Sequence, residues 1–225
     1  GNSSFSGDQP EALEFVRKAF VANPANTLIE GVLHRIVSKI GSMKEFDEVM
    51  DDIDSESISV RDLSLVLMRI AKVLKRFPEK ATYALSYAEH AVDVDATNDD
   101  AIAICYDLSK QLDLQAKTFV YASLKLARCK NEKERNELEN ICEELKLSFA
   151  DQDDVLIDVY ETCLQFEPLR NNIGDDLKSL MSTISDDKAV TLIQRVESLC
   201  VSNGLTNLMG ELYESVLERP IAANI

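Results

Sequence analysis

The sequence predicts an all-α protein built from stacked helix–turn–helix pairs, and three observations support this fold class. The 225 residues are rich in Leu, Ala, Glu and Lys, whereas Gly and Pro are few and Trp is absent, a composition that favours helices. Apolar residues recur at spacings of three and four along most of the chain, which is the helical period. No segment alternates between apolar and polar residues cleanly enough to predict a strand.

Those spacings, together with start and stop signals, define about a dozen helices. Ser59 with Asp62 and Asn131 with Glu134 resemble capping boxes at helix starts. The acidic stretch 51–58 is predicted to be a polar loop, and Gly174 is predicted to mark a helix boundary. The predicted helices are 9–22, 27–40, 43–51, 60–76, 79–94, 98–111, 115–128, 132–146, 153–166, 175–183, 187–201 and 205–218.

A spacing of small residues, each set followed by a helix end, recurs about every 36 residues. The step near Val60 fits only if part of 51–58 is an insertion. The recurrence predicts that the spaced positions of each set lie in equivalent helix–helix contacts. The sets are Ala12, Val16, Ala19 and Pro24; Ala84, Ala88, Ala91 and Ala96; Val120, Leu124, Ala127 and Glu132; and Leu156, Tyr160, Cys163 and Pro168, with Gly204 at the next step.

This spacing resembles the second helix of a tetratricopeptide repeat, where small residues allow close packing against the paired helix. The resemblance implies a right-handed α-solenoid of about five to six helix–turn–helix pairs. The sequence departs from the family in its period and in lacking the Trp, Leu-Gly and Tyr pattern of the first helix. Ile36 and Leu108 lie where a small residue is expected. An irregular helical bundle is the alternative.

The domain organisation follows from the same repeat. Residues 1–8 are expected to be a disordered or artificial leader, and 9–220 a single helical-repeat domain that could divide near 51–58. The first helix, 9–22, has the second-helix pattern without a preceding partner. We expect either an upstream helix or a contact with another molecule, such as dimerisation, on its free face.

Charge and cysteine content indicate the kind of partner and the compartment. The chain has 24 basic and 40 acidic residues, a net charge of −16, which opposes binding to nucleic acid and to anionic membranes and favours a basic partner protein. Five cysteines without a C-x-x-C pair favour the reducing cytoplasm. No apolar run approaches the roughly 20 residues that span a bilayer.

The sequence contains no recognisable catalytic, metal-binding or cofactor-binding motif. Each histidine is expected to meet one carboxylate, Glu30 for His34 and Asp93 for His90, without the further ligands that a metal needs. The stretch 52–56 resembles a calcium loop but has Ser57 where Gly is required and lacks the final Glu. The prediction is a protein that is not an enzyme.

The tetratricopeptide resemblance also implies a binding face, because the first helices of that family line the concave side of the solenoid. Helix 60–76 is apolar nearly all round and is therefore predicted to be central and buried. The residues expected in the groove are Leu28, Arg35 and Lys39 on helix 27–40, together with Gly31 and Ser38, and Ala103, Asp107, Lys110 and Gln111 on helix 98–111.

The functional prediction is a scaffold or adaptor, chaperone-like in action, that holds a peptide or helix of a partner protein. Two alternatives stay open. The repeat length also lies near that of pentatricopeptide-like RNA-binding arrays, which would need a continuous Lys/Arg strip along one face. The chain could instead be a structural segment of a larger assembly.

Overall fold

The computed structural model describes residues 9–219, which form twelve α-helices and, within that range, no strand. The leader predicted for residues 1–8 lies outside the described residues. None of the described helices is both long and apolar enough to cross a bilayer. The helices are α1 (Gln9–Ala22), α2 (Leu28–Lys39), α3 (Met43–Asp51), α4 (Val60–Leu74), α5 (Ala81–Val94), α6 (Asp99–Gln111), α7 (Gln115–Arg128), α8 (Glu132–Ser148), α9 (Asp153–Leu164), α10 (Glu167–Thr183), α11 (Asp186–Ser202) and α12 (Thr206–Leu217).

Two predicted boundaries are wrong. Pro168 begins α10 rather than ending a helix, since proline is tolerated in the first turn, where its missing N–H has no intrahelical partner. Gly174 lies inside α10, where a Cβ would come 3.5 Å from Leu208 of α12. This is an ordinary van der Waals distance, so the contact between α10 and α12 tolerates a larger residue than glycine at this position.

The stretch 51–58 is largely exposed, as expected of a polar segment, but it is partly helical. A short 3₁₀ helix, Asp52–Ser55, follows α3 and buries Ile53. Asp52 and Glu56 lie 3.0 and 3.6 Å from the guanidinium of Arg17 on α1, which is itself buried. The acidic residues therefore neutralise a buried cation.

The chain divides into two compact units, with the boundary between Leu114 and Gln115. The sequence pointed instead to 51–58, which lies within the first unit. Asp113 lies two residues before Gln115, the first residue of the second unit. Its φ is 55°, in the left-handed region that aspartate tolerates better than most residues. A single functional domain over 9–220 stays a prediction.

In the first unit α4 is the central helix. It contacts α2 on one side and α6 on the other, and it packs on α5 and α1. We name α2, α4 and α6 the α2–α4–α6 layer. The side of α4 that faces the core is completely buried, with Val66, Leu67, Ile70, Ala71, Val73 and Leu74.

The seam between α4 and α5 has the close packing that the small-residue spacing predicts. Ala84, Ala88 and Ala91 are fully buried. The Ser64 hydroxyl of α4 donates a 2.7 Å hydrogen bond to the Ala91 carbonyl and accepts one of 2.9 Å from the Asn98 amide. The two backbones can approach this closely because α5 presents only methyl groups at the contact.

The other small-residue sets are buried at most of their spaced positions. In α7 and α9 the buried members are Val120, Leu124, Leu156, Tyr160 and Cys163, and in α1 Val16 is buried. Ala12 and Ala19 are half-buried, and Ala127, in the last turn of α7, is exposed. The predicted equivalence therefore fails at Ala127, and whether the buried positions lie in equivalent contacts stays a prediction.

In the second unit consecutive helices pair and alternate helices touch. The pairs are α7 with α8, α9 with α10, and α11 with α12, while α9 also contacts α7 and α11, and α10 also contacts α12. Stacked helix hairpins produce such contacts, but α7 also contacts α10, which that pattern does not include. A right-handed solenoid is a finer statement and stays a prediction.

A carboxylate–tyrosine contact links α3 and α5 and yields a pH-dependent prediction. The Tyr87 hydroxyl donates a 2.8 Å hydrogen bond to Asp47. Burial raises the pKa of Asp47, with the Tyr87 hydrogen bond opposing this shift and Asp51 adding to it. A raised carboxyl pKa means that the folded state favours the protonated form, so this group destabilises the fold as pH rises through its titration range.

Asp47→Asn keeps an oxygen acceptor for Tyr87 but cannot ionise. We expect the variant to gain stability relative to the natural chain as pH rises from about 4 to 7, with little difference below the unfolded-state pKa. Urea unfolding at pH values across this range measures the difference. A difference that shrinks as pH rises would contradict the expected sign.

Candidate functional site

Helix α4 exposes one face, and that face is cationic. Arg61 and Lys72 are exposed, as is Arg76 in the turn after the helix, while Leu65 and Arg69 are half-buried. These five residues recur at intervals of three and four, so they lie along one side of the helix. We name them the α4 stripe.

The two neighbouring helices hold α4 by ion pairs along the edges of this stripe. The carboxylate of Glu30 on α2 lies 2.7 Å from Arg69 and 3.9 Å from Lys72, and Glu30 is only 7% exposed. From α6, Asp107 lies 3.1 Å from Lys75. Arg69 and Lys75 thus connect the layer.

The remaining cations of the stripe face solvent with less compensation. Among the described residues neither Arg61 nor Arg76 forms an ion pair, and Lys72 has only the long contact to Glu30. Their charges are available to a ligand.

The groove residues that the sequence predicted on α2 are open to solvent. Leu28 is 78% exposed, and Arg35 and Lys39 are also exposed. Gly31 and Ser38 of the same expected face are exposed as well, and Val32, which was not predicted, adds a second apolar side chain at 47% exposure.

The predicted residues on α6 occupy the corresponding side of that helix. Asp107, Lys110 and Gln111 are exposed, whereas Ala103 is half-buried. At about 100° per residue all four lie within about 60° of Asp107 around α6. Lys110 extends over the Tyr106 ring at 4.3 Å from its centre.

The structure places the two predicted sets in one layer but on different sides of α4. The α2 set and the α6 set do not meet, because α4 lies between them. Helix 60–76 is central, as predicted, but it is buried only in part, since the apolar side chains cover only part of its circumference. The spacing of its four stripe cations in the sequence was the signal that sequence reasoning missed.

The local charge of the layer differs from that of the whole chain. The exposed cations are Arg35, Lys39, Arg61, Lys72, Arg76 and Lys110, and the exposed acids on α6 are Asp99, Asp100 and Asp107. A chain with a net charge of −16 therefore carries more basic than acidic side chains on this face. The net charge of the chain therefore does not describe the local charge of this face, and the basic partner that it favours stays a prediction.

The histidines and acidic clusters form no recognisable reaction centre. His34 packs on the Phe77 ring with a centroid distance of 4.8 Å, and Glu30, expected beside it, pairs with Arg69 instead. His90 lies 3.3 Å from Asp54. Within residues 9–219 no group of three His, Cys, Asp or Glu side chains is placed to hold a metal ion.

The second unit contains an open, mainly apolar cleft of about 440 Å³ beside α8 and α9, which sequence reasoning did not identify. Its walls include Leu147, Leu156 and Tyr160, and Lys146 at its edge pairs with Asp176 at 2.6 Å. Burial, with smaller contributions from Asp176 and Cys163, raises the pKa of Tyr160 to about 12. The tyrosine therefore stays neutral, and the cleft offers apolar surface rather than an acid or base.

Comparison with known proteins gives no match: no family model, no curated protein and no solved structure is similar to this chain.

Proposed function

We propose that this protein is a non-enzymatic interaction module, a scaffold or adaptor that holds a linear segment of a partner protein on the exposed face of the α2–α4–α6 layer. The observation that carries the proposal is the exposure of Leu28 and Val32 on the same side of α2 as Arg35, on a helix that packs against α4 with its cationic stripe. Exposed apolar side chains beside charged ones are typical of surfaces that bind other proteins.

The architecture beneath this face supports a holding role. The core side of α4 is completely buried, and ion pairs fix α2 and α6 on its flanks. A rigid face loses little conformational entropy when a partner binds, so more of the interaction energy appears as affinity. Apolar contacts with α2 would supply affinity, and the cations would set the orientation and speed of encounter.

A peptide-display selection tests the proposal. A library of random 16-residue peptides is selected on the full chain, and the affinity of enriched peptides is measured by fluorescence anisotropy. We expect Leu28→Ser with Val32→Ser to weaken binding by about tenfold or more, since these side chains are lost from the contact without loss of core packing.

The matched control is Val190→Ser with Val201→Ser, two exposed valines of α11 in the second unit. This pair should leave affinity unchanged. If no peptide is enriched, or if the α11 pair weakens binding while the α2 pair does not, the proposed function is wrong.

Two further properties are proposed with it. The divergent tetratricopeptide-like solenoid is supported by the α4–α5 seam and by the paired helices of the second unit. A cytoplasmic location is supported by the five cysteines, all of which are free, as expected in a reducing compartment.

A structural segment of a larger assembly is the second candidate, and α1 favours it. Phe15 is 70% exposed on α1, beside the half-buried Ala12 and Ala19. An aromatic ring next to small residues would accommodate another helix, from a second copy or another chain. Sedimentation of the natural chain and of Phe15→Ser tests this, because self-association through α1 should be lost in the variant.

A further inference from the structure

We infer that the segment held by the α2–α4–α6 layer is acidic, with apolar side chains interspersed among its carboxylates. This inference rests on the proposed function and adds the chemistry of the partner. It reverses the expectation of a basic partner that the net charge alone supports.

The first step is the arrangement of charge along α4. From Arg61 to Arg76 the stripe extends over about 15 residues, or about 22 Å at the helical rise. It presents cations at both ends and in the middle, with Leu65 between them. A ligand segment that lies along α4 would meet a positive charge at roughly every one to three turns.

The second step is that, in the described part of the chain, the fold leaves the charges at the two ends of the stripe, Arg61 and Arg76, without an ion pair. Glu30 is committed to Arg69, its closest cation at 2.7 Å, and Asp107 is committed to Lys75. Arg61 and Arg76 have no ion pair among residues 9–219. Carboxylates of a partner would therefore complete pairs that the chain itself does not make, and arginine can bind a carboxylate with two parallel hydrogen bonds.

The third step concerns the net negative charge of the chain, which would be expected to repel an acidic segment at long range. The chain as a whole repels anions, but the Debye length is about 8 Å at physiological ionic strength. A carboxylate in contact with Arg61 or Arg76 therefore experiences mainly its immediate neighbours. We expect the remaining acidic surface to slow association while the contact itself stays favourable.

The fourth step favours a protein segment over RNA. Single-stranded RNA binds by stacking its bases on aromatic side chains along a basic groove. None of the large aromatic side chains that are exposed in the described residues lies on α2, α4 or α6; they are Phe15, Tyr83 and Tyr213. The apolar groups that the layer exposes, among them Leu28, Val32 and Leu65, are aliphatic instead and suit aliphatic side chains.

The test uses the same peptide library on the full chain and on two variants. Arg61→Gln with Lys72→Gln and Arg76→Gln removes three stripe charges. Lys44→Gln with Lys130→Gln and Lys133→Gln removes three exposed charges elsewhere and is the matched control. Thermal unfolding of each variant, and of the three single stripe substitutions, separates loss of binding from loss of fold.

We expect peptides enriched on the natural chain to contain an excess of Asp and Glu over Lys and Arg. Their affinity should fall about tenfold or more in the stripe variant, remain within about twofold in the control, and decrease with added salt. The single substitutions should each give part of the loss.

Other outcomes overturn the inference in distinguishable ways. Enriched peptides that are neutral or basic, but that still lose affinity when Leu28 and Val32 are replaced, would refute the acidic partner and leave the proposed function intact. If no peptide is enriched, both the acidic partner and the proposed function are refuted. A single-stranded 20-nucleotide RNA that binds more tightly than every enriched peptide, and that depends on the stripe, would assign the face to nucleic acid.

Discussion

Ala91→Leu is expected to lower the free energy of unfolding by about 1–3 kcal/mol, whereas Ala127→Leu should change it by less than about 0.5 kcal/mol. Ala91 is completely buried between α4 and α5, and its carbonyl accepts the Ser64 hydroxyl at 2.7 Å. A leucine would need three more carbon atoms of space, which could be made only by moving the two helices apart. Ala127 is exposed, so a leucine there meets solvent.

This pair of substitutions is informative because the repeat spacing treats the two alanines as equivalent. Urea unfolding of both variants, followed by circular dichroism, gives the two free energies under identical conditions. If the two substitutions lowered the free energy of unfolding equally, Ala91 and Ala127 would lie in equivalent contacts, as the repeat spacing predicts. If neither substitution changed the free energy of unfolding, the α4–α5 seam would be packed less tightly than the structure describes.

Glu30→Ala is expected to destabilise the chain by about 3 kcal/mol, because it leaves a largely buried guanidinium without its carboxylate. Arg69 lies 2.7 Å from Glu30, both side chains are largely buried, and the Nε of Arg69 already lacks a hydrogen-bond partner. Without Glu30 the guanidinium would lose its carboxylate partner while most of the side chain stays buried. The contact between α2 and α4 would weaken at the same time.

Two comparisons make this second prediction specific. Glu14→Ala removes an exposed partner of Lys18 and should cost less than about 1 kcal/mol. Glu30→Met combined with Arg69→Met replaces the pair by apolar side chains and should recover much of the loss, since no charge is then left buried alone. A Glu30→Ala variant as stable as Glu14→Ala would show that the pair is solvated in solution.

Local features of the fold could be predicted from the sequence because they depend on neighbouring residues. The capping residues Ser59 and Asn131 accept hydrogen bonds from the backbone N–H groups of Asp62 and Glu134, both at 3.1 Å. The all-helical class and most helix starts follow from such contacts and from the apolar period.

Features that depend on long-range contacts could not be predicted in this way. Gly174 lies in mid-helix, in contact with Leu208 of α12, which is more than thirty residues later. The acidic stretch 51–58 is ordered because it meets Arg17, more than thirty residues earlier. Neither segment contains a residue pattern that indicates its distant partner, Leu208 in one case and Arg17 in the other.

The role of the predicted groove residues stays a prediction, and only their exposure can be compared with the structure. Exposure of Leu28, Arg35 and Lys39 agrees with the face that the tetratricopeptide resemblance implies for α2. The α4 stripe was missed because the apolar content of α4 outweighed the position of its cations around the helix. The net charge is a sum over both units, so it could not predict that the exposed side of the α2–α4–α6 layer is positive.

The central claim is that the exposed face of the α2–α4–α6 layer holds the partner segment, and backbone amide chemical shifts test it most directly. An enriched peptide is titrated into the isotopically labelled full chain, and the shift of each amide signal is followed by NMR. The claim predicts the largest changes at Leu28–Lys39, along the α4 stripe and around Asp107. Changes confined to residues 115–219, or to the buried side of α5, would contradict it.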